Sequence, residues 1–176
     1  MVKRIAIYGT ESTGKSSLAA GLAAYFGEPW SEEYVREFWD THDGRISGPD
    51  LDLIARGQIA NEESAVARAR RIVFCDTELL TNVQWADLLF PGCCPPWLRP
   101  EAEARCRNYA LYLLCAPDLP WAYDPQRAFP DEATRARQAK VWQAKLERRG
   151  LPFVVIGGVG ETRLRAAIAA VETLMA

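Results

Sequence analysis

Eight residues near the start of the chain carry the clearest chemistry. Gly9-Thr10-Glu11-Ser12-Thr13-Gly14-Lys15-Ser16 satisfies G-x-x-x-x-G-K-[ST], the phosphate-binding loop, with no gap or excess. Its glycines let backbone N–H groups turn inward around phosphate oxygens, where a side chain would block them. Lys15 is placed to reach the β- and γ-phosphates, and the Ser16 hydroxyl to ligate Mg²⁺. Gly9, Glu11, Ser12, Thr13, Gly14, Lys15, Ser16 and Ser17 are thus the candidate nucleotide-binding residues, for ATP with Mg²⁺. Asp76 ends a hydrophobic run, where an acid can hold Mg²⁺ through water or take a proton from an attacking hydroxyl. As Asp76-Thr77-Glu78 it also suits a helix cap. Glu33, Arg36 and Glu37 form a charged cluster that could orient or deprotonate an acceptor hydroxyl, or equally be a solvated turn with one ion pair. Pro120-Trp121-Ala122-Tyr123-Asp124-Pro125-Gln126-Arg127 supplies an arginine on a loop, able to fold over a triphosphate.

These groups need a strand, a loop and a helix behind each of them. Lys3 to Tyr8 reads as a buried strand, and a helix begins at about Lys15, with Leu18, Leu22, Tyr25 and Phe26 at helical spacing. A short second strand follows Gly27 to Trp30, and the charged cluster comes just after it. A parallel sheet would bring that strand end near the first, turning the cluster toward the γ-phosphate. A polar loop spans Asp40 to Gly48, and Pro49 opens a long helix to about Arg70. Arg71 to Cys75 forms a third strand, Leu79 to Phe90 a helix, and Pro91 to Pro96 a break. A short charged helix over Pro100 to Arg107 precedes a fourth strand, Tyr109 to Cys115. Ala116 to Pro130 is a long proline-rich loop, the place for a lid over about residues 116–137. A charged helix to Arg149, a strand over Leu151 to Ile156 and a helix over Glu161 to Met175 complete the chain. Strands alternating with helices predict a three-layer α/β P-loop NTPase, five parallel strands covered on both faces, in a single domain over 1–176.

The chain has 176 residues, 49% of them hydrophobic, enough for one real core. With 21 basic and 23 acidic residues it has no broad footprint for nucleic acid. No apolar run reaches membrane-spanning length, no signal peptide is evident, and five cysteines do not suggest a disulfide framework. A cytoplasmic protein acting on a small molecule is expected. Cys93-Cys94 lacks the spacing of a structural zinc pair.

Several of these segments together resemble one family, the nicotinamide riboside (ribosylnicotinamide) kinase domain of NadR-type proteins. The phosphate loop resembles its G-x-E-S-x-G-K-[ST], and Glu33-Tyr34-Val35-Arg36-Glu37-Phe38 its E-Y-x-R-E-[YF]. Ile54-Ala55-Arg56-Gly57-Gln58 is similar to its I-A-x-G-[QH], Cys75-Asp76-Thr77-Glu78 to its D-T-D, and Pro120 to Arg127 to its P-W-x-x-D-x-x-R. The resemblance implies phosphoryl transfer from ATP to the 5′-hydroxyl of nicotinamide riboside. It implies catalytic roles for Lys15, Asp76, Glu33 and Arg127, and metal contacts from Ser16 and Asp76. It further implies substrate contacts from Glu33, Tyr34, Arg36, Glu37, Thr77, Trp121 and Asp124. Glu78 stands where the family has a second aspartate, and Pro125 where it usually has glycine. With the phosphate loop beginning at Gly9, no adenylyltransferase or repressor role is expected. The alternatives are a kinase for another nucleoside or nucleotide, or a nucleotide-dependent regulator.

Overall fold

The computed structural model describes residues 2–176. Strands β1 (Lys3–Tyr8), β2 (Trp30–Ser31), β3 (Ile72–Asp76), β4 (Tyr109–Cys115) and β5 (Phe153–Ile156) form one parallel sheet in the order β2-β3-β1-β4-β5. Connecting them are α1 (Lys15–Phe26), α2 (Tyr34–Thr41), α3 (Leu51–Arg68), α4 (Leu79–Leu89), α5 (Leu98–Arg105), α6 (Glu132–Arg149) and α7 (Glu161–Met175).

The period-two alternation of β1 sorts the core onto two faces. Ile5 and Ile7 pack with Leu18 and Leu22 of α1 and Ala167 and Val171 of α7. Ala6 and Tyr8 point the other way, toward Ala55 of α3, Leu80 and Val83 of α4, and Trp142 and Leu146 of α6. The Tyr8 ring lies 4.8 Å from that of Trp142 and edge-on to Tyr112. This is the three-layer α/β architecture expected, with the phosphate loop leaving the central strand.

Three local differences bear on the site. Residues 34–41 form a helix, where the sequence reading had only the end of a strand and a charged cluster. Phe38 is its sole buried residue, so its apolar signal is one position wide. The second strand is only two residues long and pairs with β3 rather than β1, so the cluster reaches the cavity through α2. The helix expected from Pro100 starts at Leu98 and tightens into a 3₁₀ turn over Cys106–Asn108.

Candidate active site

The register of the sheet brings the two best sequence anchors together. Ile7 pairs with Asp76 and Tyr8 with Leu114, so the carboxyl ends of three neighbouring strands meet where Gly9 begins the loop. Gly14 ends the loop at φ 74 and caps α1, whose first internal bond is Leu18 N–H to the Gly14 carbonyl. The preceding N–H groups of Lys15, Ser16 and Ser17 thus have no helical partner and add the positive end of the helix dipole. Inside the loop the Thr10 carbonyl accepts from Thr13 Oγ1 and from Lys15 Nζ, both at 2.8 Å.

Asp76 is buried beside Lys15 and Ser16, and its Oδ1 has no hydrogen-bond partner among the described residues. Burial holds its carboxyl above the usual range, while Lys15, Ser16 and Arg36 pull it down. A buried acid with an unsatisfied oxygen beside the Ser16 hydroxyl offers oxygen ligands of the kind a hard cation takes, and leaves the Lys15 ammonium for phosphate.

In front of this edge lies a cavity of about 780 Å³. Glu11 to Ser17 form one side of it, and Glu33, Arg36, Asp124 and Arg127 face it. Trp39, Leu51, Ile54, Trp85 and Phe90 give it an apolar and aromatic far wall. Glu33 is pushed up to about 7, first by burial and then by the nearby Asp76 charge, with Lys15 and Arg36 opposing. Arg36 links Glu33, at 3.7 Å, to Asp124, at 3.3 Å. Asp124 also accepts from Gln126 N–H at 2.9 Å; that bond, helped by Arg36, holds its carboxyl below the usual range. Arg127 approaches Asp124 at 3.8 Å and donates to the Ala122 carbonyl, so it closes its own loop as well as facing the cavity.

Four of the substrate contacts implied by resemblance do not line the cavity: Tyr34, Glu37, Thr77 and Trp121. Tyr34 is committed to packing. A Cβ at Gly57 would fall 2.1 Å from its ring, and its N–H donates to Gln58, which in turn reaches the Asp76 carbonyl. Glu37 is exposed, about 100° around α2 from buried Phe38. Thr77 is buried at φ 67, a sparsely populated conformation that turns the chain from β3 into α4. Trp121 packs edge-on against Tyr123, 6.2 Å away. Glu78 does not line the cavity either: it is fully buried, caps α4 through Leu80 N–H, and is pushed up to about 8 by burial.

One functional candidate escaped the sequence reading. Arg163, buried in the first turn of α7, donates to the carbonyls of Thr13, Ala116 and Gly158 and pairs with Asp118. Asp118 also accepts from Gly158 N–H at 2.6 Å. C=O and N–H point opposite ways across a trans peptide, so holding the Thr13 carbonyl fixes the direction of the Gly14 N–H. A cation near a helix N-terminus opposes the dipole, and that misfit was the only signal in the sequence.

A family profile described as an AAA domain matches residues 4–163. The trifunctional NAD biosynthesis/regulator protein NadR of Escherichia coli K12 is 27% identical over 157 residues, covering 87% of this chain and 38% of that protein. The chain therefore spans well under half the length of that relative. A crystal structure of NadR in complex with NR superposes with a TM-score of 0.69 at 23% identity, over 98% of this chain and 51% of that one. Deoxyadenosine kinase from M. mycoides, with dCMP and dCDP bound, superposes at 0.60 and 15% identity, over 97% and 99% of the two chains. By its match over residues 4–163 the chain belongs to the AAA-domain family, with the P-loop kinase fold and a sequence related to NadR.

Proposed function

We propose that the protein transfers the γ-phosphoryl group of ATP to the 5′-hydroxyl of nicotinamide riboside, yielding nicotinamide mononucleotide and ADP. The observation that carries this reading is the single cavity in which Lys15 and Ser16 face Glu33 and Arg36 across to an aromatic wall. A triphosphate on the loop would present its γ-phosphorus to a hydroxyl held near Glu33. The aromatic wall of Trp39 and Trp85 offers flat apolar surface for a heteroaromatic ring, and a positively charged ring gains from facing an indole.

Each residue then has a physical task. The loop N–H groups and Lys15 hold the phosphates, and charge stabilisation supplies most of the rate in phosphoryl transfer. Ser16 and Asp76 would hold Mg²⁺, which when bound neutralises charge on the phosphates. Glu33 takes the hydroxyl proton as the 5′-oxygen bonds to the γ-phosphorus and the bond to ADP breaks. A carboxyl raised to about 7 is well matched to that role near neutral pH. Arg36 orients Glu33, and Arg127 adds positive charge from the loop.

The test is coupled ADP release with Mg-ATP, comparing nicotinamide riboside with adenosine, uridine, thymidine and their 5′-monophosphates. Saturable release with nicotinamide riboside supports the proposal. Release with another acceptor only would retain a kinase and overturn the substrate. Tight ATP binding without acceptor-dependent release would replace it with a nucleotide-dependent regulator.

A further inference from the structure

Glu11 is an oddity on electrostatic grounds. It places a carboxylate in the loop meant to cradle a polyanion, and it lines the same cavity as Lys15. Both of its oxygens are engaged, and neither by the phosphate loop itself. Oε2 accepts from the Ala128 N–H at 2.9 Å and Oε1 from the Phe129 N–H at 2.6 Å. The adjacent Ser12 Oγ accepts from the Ala122 N–H at 3.3 Å. All three donors lie on the segment between β4 and α6. That segment carries Arg127 immediately before the Ala128–Phe129 pair, and the Phe129 ring stacks at 13° and 6.2 Å on Trp85 of the far wall. One carboxylate therefore ties the phosphate loop to a stretch bearing the loop cation on one side and a ring that packs on the aromatic wall on the other.

We propose that Glu11 is a positioning residue: it latches the β4–α6 segment across the cavity, and its charge opposes nucleotide binding unless that latch is made. The inference rests on the kinase reading above. Two backbone N–H groups donating to one carboxylate disperse its charge and hold it by charge-assisted bonds. Without them the same charge stands open in the cavity and repels the triphosphate. Nucleotide binding and segment closure are thereby linked through one side chain. Turnover, which needs Arg127 and the far wall in place with water excluded, depends on the closed arrangement.

The linkage separates the latch from an ordinary nucleotide contact. In Glu11→Gln one oxygen is replaced by a donor that faces a donor, and the charge is gone. The expected result is a fall in kcat for acceptor-dependent ADP release on the order of tenfold. KM for ATP should stay unchanged or fall, and acceptor-independent hydrolysis should take a larger share of ADP release. Ala128→Pro removes one donor and keeps the charge, so it should lower kcat similarly but raise KM for ATP. Tryptic cleavage after Arg127, with Mg²⁺ and a non-hydrolysable ATP analogue present, should be several-fold faster in Glu11→Gln; Ala128→Pro is read by kinetics alone, because trypsin does not cut an Arg–Pro bond. A rise in KM for ATP in Glu11→Gln with kcat retained would overturn the proposal, as would cleavage after Arg127 at the parent rate in that variant. The cleavage assay needs no acceptor. A failure to find any acceptor would therefore count against the kinase reading and leave the latch to be judged on proteolysis.

Discussion

The phosphate side of the cavity and the acceptor side are built from different materials. On the phosphate side the binding groups are main-chain N–H groups, fixed by a glycine at φ 74, by the first turn of α1 and by the Thr13 carbonyl held on Arg163. One short stretch of sequence supplies nearly all of it. The acceptor side is made of side chains from α2, α3, α4 and the segment after β4, brought together only by the tertiary fold. A backbone-built site has little to vary and binds what all nucleoside triphosphates share. A side-chain-built site can change its ligand by single substitutions, so specificity is expected to reside there.

The sharpest way to break this contrast is at the residue between the two sides. Glu33→Gln is expected to lower kcat by about a hundredfold, the usual contribution of a positioned base. In the parent enzyme kcat should rise with pH through an apparent value of about 7, because the carboxyl must be ionised to accept a proton. The nearby Asp76 charge helps to hold that value up. A parent profile that is flat between about pH 5.5 and 8.5 would remove Glu33 from the proton-accepting role.

A crossed pair of substitutions tests the division itself. Arg163→Met should raise KM for ATP by roughly tenfold and leave KM for the acceptor alone, since it loosens only the phosphate loop and the turns around it. Trp85→Ala should do the reverse, by a similar factor. Steady-state kinetics with each substrate varied separately reads both, and equal effects on the two KM values in either variant would dissolve the distinction.

The smallest effect belongs to an acid outside both sides. Burial raises Glu78 from 4.5 to about 8, so the fold favours its protonated form. The stabilisation from this group is complete below about 4.5 and is lost as pH rises through about 8. Thermal midpoints should therefore fall between about pH 5.5 and 8.5. Glu78→Gln should flatten that slope by a few degrees, at about 2–4 °C per kcal/mol, with kcat near the parent value. A large loss of kcat would return Glu78 to the site.

What the sequence made legible follows the same division. The phosphate loop, Asp76 and the β4 span are local patterns, and local patterns survive without coordinates. Glu33, Arg36, Asp124 and Arg127 were readable as candidates because they are charged residues in dense clusters, and all four face the cavity. Tyr34 and Glu37 came in with the Glu33–Phe38 segment but face elsewhere, because a helix beginning at Tyr34 sends successive side chains about 100° apart, while Thr77 is buried in the turn from β3 into α4 and Trp121 packs on Tyr123. Trp39 and Phe129 gave no signal beyond their type, while Trp85 could be named only as one of several flat surfaces for a ring. Arg163 left only the misfit of a cation in a helix's first turn, because its partner Thr13 lies 150 residues away.

That separation has a consequence during synthesis. Thr13 of the phosphate loop leaves the ribosome 150 residues before Arg163, the guanidinium that sets the loop's geometry. At about 5–20 residues per second the loop waits on the order of ten seconds for its final brace. ATP, abundant throughout that interval, meets a loop without its finished grip, so nucleotide is poorly suited to act as an early template for folding. Its stabilising effect by mass action comes once Arg163 has joined the loop.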